Sequence, residues 1–380
     1  MFSAHKSAIL PIRLDRKNVT LCIQNQDKME EMEKNGQAEK PKNPDGMGKK
    51  GILLAGAGVL LVLAVALCVV LAGLLLPRSQ WVAGEDSCLY IDRDDTVDSV
   101  KIKSRLGWRM GLCASLLNYH VRTGRYETRD QNALSLFRRL RNGQQEPVQL
   151  IIPSVRTMDR MAQYLASHLM MDSTEVVRFM ADSSRCALLG YSNQQLPALF
   201  VPNTYEVYWD TSIDHFMHRM LTEHNHFWQG EREQQAKACG LTPVEVCTLA
   251  SIVDEETANK AEKPDIAAMY INRLRLGMPL QADPTVKFAV GDFTLRRIYH
   301  EHLKAQSPYN TYQNLGLPPG PIRVASIDGI DAVLHHTQHP YLYMCAKEDF
   351  SGTHRFAATY QEHLQNARRY AKALNERGIH

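Results

Sequence analysis

The pattern of hydrophobic and polar positions divides this 380-residue chain into a polar start, one long apolar run and a remainder of mixed periodicity. Residues 1–50 are polar and mix acidic and basic side chains, and almost no apolar periodicity survives from residue 24 onward, which indicates a disordered tail. Residues 51–76 carry no charge. A helix of that length spans about 37 Å, enough to cross a hydrocarbon core of about 30 Å. The pattern therefore predicts a single transmembrane helix over residues 51–77.

The charges that flank this run predict its orientation. Lys49 and Lys50 precede it directly, whereas Arg78 is the basic residue that follows it closely. Because basic residues stay on the cytoplasmic side, the N-terminus is predicted to lie in the cytoplasm and the bulk of the chain outside. A cleaved signal peptide is disfavoured, since its apolar region usually holds only about 7–15 residues.

Residues 78–152 are predicted to form a small module. Its predicted elements are a strand at 87–91, a helix from 95, a strand at 124–126, a helix at 132–140 and a strand at 148–152. Such a module is either a spacer that lifts the next domain off the membrane or a polysaccharide-binding unit.

Residues 153–380 are predicted to form the larger domain. Periodicity and end signals predict helices near 156–171, 174–182, 213–228, 243–258, 264–276 and 358–376, and strands near 205–208 and 341–346. The predicted fold class is α+β: a transmembrane helix, a small module and a helix-rich mixed α/β domain.

The helix predicted at 243–258 carries the candidate chemistry. Thr242 and Pro243 give it a capped start, and apolar residues then recur at helical spacing. At about 100° per residue, Glu256 falls almost directly above Leu249, inside the apolar stripe. Burial there disfavours the charged carboxylate, and the negative end of the helix dipole acts in the same direction. A carboxylic acid that keeps its proton near neutral pH suits glycosidic bond cleavage. The alternative is an acidic cluster, 254–256, on a solvated helix end.

Composition excludes several other functions. A net charge of +3, with no basic block that interleaves aromatic residues, argues against a nucleic-acid partner. None of the eight cysteines forms a CxxC pair, and no Cys/His cluster has zinc spacing. We therefore predict no metal site, no cofactor and no obligatory disulfide framework.

Five motifs occur in an order that resembles one family. They are LASIVDEET (249–257), YINRL (270–274), LQADPTV (280–286), YNTY (309–312) and GLPPGPI (316–322), with His354, Phe356 and 362–363 near the end. Together with the single N-terminal span, this series resembles the membrane-anchored endolytic murein transglycosylases (the MltG, YceG-like family) from about residue 80 onward. Asn203 and Glu255 depart from the family pattern, which usually has Glu and a basic or polar residue at these positions.

The resemblance implies a lytic mechanism that centres on Glu256, which matches the family's catalytic Glu. Glu256 would protonate the glycosidic oxygen between N-acetylmuramic acid and N-acetylglucosamine. The muramic acid 6-hydroxyl would then attack, and Glu256 would accept its proton. The product would carry a 1,6-anhydro end. No cofactor is implied.

Five further residues are candidates for substrate binding. Gln281 could hydrogen-bond a sugar amide or hydroxyl, and Asp283 could orient Glu256 or steady positive charge, although Asp-Pro-Thr is equally typical of a helix start. Asn310, with Tyr309 and Tyr312 beside it, suits sugar binding, or the segment forms a turn with two core tyrosines. His354 could line the cleft or be a hydrogen-bonded structural histidine. By contrast, Asn272 and Arg273 are predicted to pack and pair along their helix.

The resemblance also implies a setting. Nascent peptidoglycan strands are the implied substrate, and cutting them would terminate strand elongation. Peptidoglycan synthases (penicillin-binding proteins) are the implied partners, and residues 78–152 correspond to a LysM-like module. The span would cross the inner (plasma) membrane, with the catalytic domain periplasmic. Two alternatives stay open: a muramidase that uses water, and a membrane-tethered glycan-binding scaffold without turnover.

Overall fold

The computed structural model describes residues 49–76, 87–129, 131–295 and 297–378, with side chains from residue 53 onward. Helix α1, Lys49–Leu75, contains the predicted apolar run. Its segment Leu53–Leu75 is long and apolar enough to cross a membrane, and nearly all its side chains are exposed. The predicted tail lies outside the described residues except for its last two positions, and Arg78 lies outside them as well.

A small core follows in the chain. Its elements are β1 (Cys88–Ile91), α2 (Val97–Lys103), α3 (Trp108–Leu117), β2 (Gly124–Glu127) and α4 (Ala133–Asn142). Strands β1 and β2 pair antiparallel, with Leu89 opposite Tyr126. Tyr126 and Phe137 are wholly buried in the core that this two-stranded sheet forms with the helices. Helix α3 was not predicted, because it begins without a side-chain cap.

Strand β3 (Val148–Ile151) belongs to a different core. It pairs antiparallel with β4 (Thr204–Val207), which places Leu150 opposite Tyr205. Leu150 and Ile152 are buried in the larger hydrophobic cluster. The strand that ends the predicted small module therefore contributes its side chains to the core of the larger domain.

Helices dominate the rest of the described chain, which confirms the helix-rich α+β class. They are α5 (Met158–His168), α6 (Ser173–Ala181), α7 (Ser183–Leu188), α8 (Ile213–Trp228), α9 (Glu231–Cys239), α10 (Pro243–Glu256), α11 (Lys263–Arg275), α12 (Asp283–Val290), α13 (Ile327–Leu334) and α14 (Tyr360–Glu376). Strands β5 (Tyr343–Ala346) and β6 (His354–Ala357) form an antiparallel hairpin. The six predicted helices of this region are present, α12 begins where Asp-Pro-Thr was named as a possible helix start, and α7, α9 and α13 were not predicted.

Helix α10 lies at the centre of the larger core. Thr242 forms the predicted capping box with Glu245. Every residue from Val246 to Val253 is buried, so apolar neighbours surround the helix instead of covering one stripe. Helices α9 and α10 together also meet the length and composition criterion for a membrane span, but they are bent by 76°.

The end of α10 is fixed by a buried ion pair. Asp254 accepts a 2.5 Å hydrogen bond from Lys263 Nζ on α11, and the two side chains are 3% and 8% exposed. The same carboxylate accepts hydrogen bonds from the backbone N–H and hydroxyl of Ser326. Gly329 on α13 lets the helix approach, because a Cβ at that position would lie 2.5 Å from Asp254 Oδ1. One carboxylate therefore joins α10, α11 and α13.

We predict that Asp254→Ala lowers the free energy of unfolding by about 3–5 kcal/mol, because it leaves the Lys263 ammonium buried without its partner. The control is Glu233→Ala, which breaks the exposed Glu233–Lys237 pair on α9 and should cost less than about 0.5 kcal/mol. Denaturant unfolding of the two variants measures both values. Equal losses would contradict the role given to the buried pair.

Candidate active site

Three consecutive acidic residues end α10, and their carboxyl groups have different hydrogen-bond partners. Asp254 is paired with Lys263. Glu255 accepts two hydrogen bonds from Arg156, at 2.7 and 2.8 Å, and one from Arg323 at 2.9 Å. Among the described residues, no lysine, arginine or histidine forms an ion pair with Glu256. Its carboxyl group is therefore the one that lacks a cation to hold it ionised.

Glu256 instead receives a hydrogen bond from a phenol. The Tyr270 hydroxyl on α11 donates to Glu256 Oε1 at 2.6 Å. Burial is the largest influence on the carboxyl group, and it raises the pKa of Glu256 to about 7. The Tyr270 hydrogen bond acts in the opposite direction, whereas the negative charge of Asp283 raises the pKa further. The acid predicted from helical spacing is therefore still protonated in a substantial fraction of molecules at neutral pH.

Glu256 lines a cavity of about 240 Å³. The walls come from the end of α10, one face of α11, the segment before α12, and the hairpin of β5 and β6. The lining residues are Glu256, Met269, Tyr270, Arg273, Leu280, Gln281, Asp283, Tyr312, Met344, Cys345, Ala346 and His354. The structure therefore brings together four of the six residues predicted for the site: Glu256, Gln281, Asp283 and His354.

Gln281 and Asp283 enter the cavity from a strained turn. Gln281 has a backbone φ of 49°, in the left-handed region that residues other than glycine rarely adopt. Its backbone N–H donates to Thr311 O at 3.2 Å, which holds the turn. Asp283 is the first residue of α12, and its side chain is not a cap. Its carboxylate accepts a 2.7 Å hydrogen bond from the Tyr312 hydroxyl.

His354 lies on β6 and is oriented by a buried acid. Its backbone N–H donates to Glu262 Oε1 at 2.5 Å, and its Nδ1 lies 3.2 Å from Glu262 Oε2. Glu262 is 7% exposed. His354 is anchored by hydrogen bonds and also lines the cavity. Its position therefore fits both interpretations, a structural histidine and a histidine of the cleft.

Asn310 and Tyr309 lie outside the cavity. Asn310 is wholly buried, and its amide donates to Leu303 O and Ala305 O at 2.9 Å. Its oxygen accepts the backbone N–H of Tyr312, so Asn310 shapes the loop that delivers the Tyr312 side chain. Tyr309 packs against Phe288, with ring centroids 4.6 Å apart. The alternative interpretation, a turn with core tyrosines, therefore describes where Asn310 and Tyr309 lie.

Two polar residues of the cavity wall, Tyr270 and Arg273, were not predicted as site residues. Tyr270 and Arg273 stand three positions apart on α11 and therefore share one face of that helix. Their signal was present in the YINRL motif, but periodicity could not show that this face meets the end of α10. The position of Tyr312 in the cavity wall depends on the geometry of a loop that lies far from α10 and α11 in sequence.

Metal chemistry has no visible site in the part of the chain that the structure describes. There, no group of three or more His, Cys, Asp and Glu side chains is arranged to hold a metal ion.

Comparisons with known proteins identify relatives of this chain. The chain is 36% identical over 168 residues to an endolytic murein transglycosylase of Bacillus subtilis (strain 168), a match covering 44% of this chain and 46% of that relative. It is 30% identical over 176 residues to an endolytic murein transglycosylase of Streptococcus pneumoniae serotype 2 (strain D39 / NCTC 7466), covering 45% and 32%. The chain thus spans less than half the length of these relatives.

A solved structure shares the fold. The crystal structure of a yceG-like protein from Listeria monocytogenes superposes with a TM-score of 0.52 at 23% identity, covering 73% of this chain and 97% of that one. The model of the YceG-like family matches residues 96–369, which include the cavity and all four of its predicted residues. The chain therefore belongs to the YceG-like family.

Proposed function

We propose that this protein is a lytic transglycosylase of peptidoglycan in which Glu256 is both the general acid and the general base. One observation carries the proposal: a carboxyl group with a pKa of about 7 lines an open cavity and forms no ion pair among the described residues. The names of the matched relatives support the substrate class.

The reaction begins with proton transfer from Glu256 to the glycosidic oxygen of N-acetylmuramic acid linked to N-acetylglucosamine. As that bond breaks, the muramic acid ring acquires oxocarbenium character. The 6-hydroxyl of the same ring attacks C1, and the ionised Glu256 accepts its proton. A 1,6-anhydro end forms, and no water is consumed. Because the nucleophile is part of the substrate, a second protein carboxylate is not required, and the attack is effectively intramolecular.

The neighbours of Glu256 suit this cycle. The Tyr270 hydroxyl stabilises the ionised carboxylate that exists between the two proton transfers. Asp283, held by Tyr312, places negative charge in the same cavity and would steady the positive ring. Gln281 and His354 offer an amide and an imidazole to sugar hydroxyl and acetamido groups.

A second candidate is a muramidase that admits water. Asp283 favours it, because glycosidases that use water need two carboxylates at the scissile bond and both Glu256 and Asp283 line the cavity. A glycan-binding scaffold without turnover is the third candidate. The sheltered carboxyl group speaks against it, since recognition of sugar does not require a protonated acid.

The setting of the reaction is also a proposal. Helix α1 would anchor the chain in the inner membrane with its N-terminus in the cytoplasm, and the region after it would include a LysM-like module. Glu256 would then cut nascent strands as synthases extend them and so terminate elongation.

Product analysis tests the proposal against its rival. Incubation of the full chain with un-crosslinked glycan should give fragments with 1,6-anhydro ends, because the 6-hydroxyl is the nucleophile. Mass spectrometry distinguishes these ends from reducing ends, which are heavier by one water. Reducing ends as the initial product would establish the muramidase. Glycan that stays intact would favour the scaffold without turnover.

We predict that Glu256→Gln abolishes cleavage while the fold is retained, because the amide cannot donate or accept the catalytic proton. The folded chain raises the pKa of Glu256 from 4.5, so the wild-type protein loses stability as the pH rises from about 4.5 to about 7. Glu256→Gln should therefore increase the free energy of unfolding by up to about 3 kcal/mol above neutral pH, and by little below about pH 4.5. Normal cleavage by this variant would end the assignment.

Two neighbours should shift the pH profile in opposite directions. The catalytic acid must be protonated, so kcat/KM should fall above about pH 7. Tyr270→Phe removes a hydrogen bond that favours the ionised form, and should move this fall to higher pH. Asp283→Asn removes a repulsive charge, and should move it to lower pH. Shifts in the same direction would contradict the electrostatic account, whatever the absolute rates.

A further inference from the structure

Arg273 is a buried cation in the cavity wall. It lies on α11, three residues after Tyr270, and is 7% exposed. Its Nε donates to Leu342 O at 2.6 Å. Its Nη1 donates to Leu280 O at 2.8 Å and Pro279 O at 3.1 Å, with Gln281 Oε1 at 3.5 Å. These acceptors are neutral, so they satisfy N–H groups without balancing the charge.

No carboxylate accepts a hydrogen bond from Arg273 among the residues that the structure describes. The other buried cation of this region, Lys263, has Asp254 as its partner. Burial lowers the pKa of Arg273, because the guanidinium loses hydration, and the Tyr343 ring, with its centroid 5.3 Å from Cζ, offers a cation–π contact but no formal negative charge. Moreover, Nη2 makes no hydrogen bond within the described residues, although the side chain lines the cavity. A guanidinium with open N–H groups and no counter-ion thus faces the cavity.

Tethering of the cavity walls does not explain the charge. The adjacent Asn272 holds the same segment before β5 with a neutral amide, which donates to His339 O at 2.7 Å and Tyr341 O at 3.2 Å. Asn272 does not line the cavity. Carbonyl oxygens can therefore be held here without a cation, and the positive charge of Arg273 is left for another partner.

We propose that Arg273 binds a carboxylate carried by the muramic acid unit of the substrate. This inference rests on the function proposed above. Peptidoglycan offers two sources of that chemistry: the lactyl carboxylate of peptide-free muramic acid, and the carboxylates of a stem peptide. Either would neutralise the buried guanidinium through charge-assisted hydrogen bonds from Nη2, whereas a neutral sugar polymer would leave the cation unpaired.

The test measures binding by the catalytically disabled Glu256→Gln full chain in detergent. Four oligosaccharides of equal length serve as ligands: a chito-oligosaccharide without carboxylates, a peptide-free glycan with lactyl carboxylates, the same glycan with these groups amidated, and a glycan with stem peptides. Calorimetry gives each Kd. We expect at least one carboxylate-bearing glycan to bind about tenfold more tightly than the chito-oligosaccharide and the amidated glycan. The peptide-free and peptide-bearing arms identify the source.

Variants assign this preference to Arg273. Adding Arg273→Gln should reduce the ratio of Kd values to about one, and Arg273→Lys should retain part of it. Adding Asn272→Ala removes the neutral contact to the segment before β5 and should leave the ratio of Kd values unchanged. Equal binding of acidic and neutral glycans by the parent overturns the inference but not the proposed function. A preference that survives Arg273→Gln also overturns it. Binding of none of the four ligands would reject both proposals. The amidated glycan keeps the test decisive if Arg273→Gln does not fold.

Discussion

The chemistry of this protein depends on a missing counter-ion. Three acidic residues end α10, and each meets a different electrostatic environment. Asp254 and Glu255 are matched by Lys263 and by two arginines, whereas Glu256 meets only a phenol. Because burial penalises the ionised form and no ion pair offsets that penalty among the described residues, the pKa of Glu256 rises to about 7, although the Tyr270 hydrogen bond and the positive charge of Lys287 act in the opposite direction. The same helix end therefore carries two carboxyl groups that form ion pairs and a third that forms none among the described residues.

The two paired acids make the third one usable. Asp254 joins α10 to α11 and α13, and Glu255 joins α10 to Arg156 and to Arg323. These contacts fix the direction in which the last turn of α10 points, so the Glu256 carboxyl group meets Tyr270 at the cavity wall. A buried carboxylic acid lowers stability at neutral pH, and such local cost is common where a site is organised for a reaction rather than for folding.

Helices whose apolar residues recur at helical spacing could be predicted from the sequence, and so could the position of Glu256. Its position above Leu249 follows from helical geometry alone, and burial at that position raises its pKa. The rest of the cavity was not accessible in this way. Gln281 sits in a left-handed turn held by Thr311, thirty residues downstream, and Tyr312 is delivered by a loop that Asn310 organises. Asn310 resembles a sugar-binding amide in sequence, but its hydrogen bonds are all used to build that loop. Arg273 looks like a surface-pairing arginine in sequence because its lack of an acidic partner becomes visible only when α11, the turn and the hairpin are assembled.

The most direct test of this account is a titration of the Glu256 side chain itself. Carboxyl ¹³C resonances of the protein labelled in glutamate can be followed by NMR across the pH range, and the signal absent from Glu256→Gln identifies the residue. The account predicts a midpoint of about 7 for that signal. A midpoint near 4.5, the ordinary value for glutamic acid, would show that the carboxyl group is ionised at neutral pH and cannot begin the reaction as an acid.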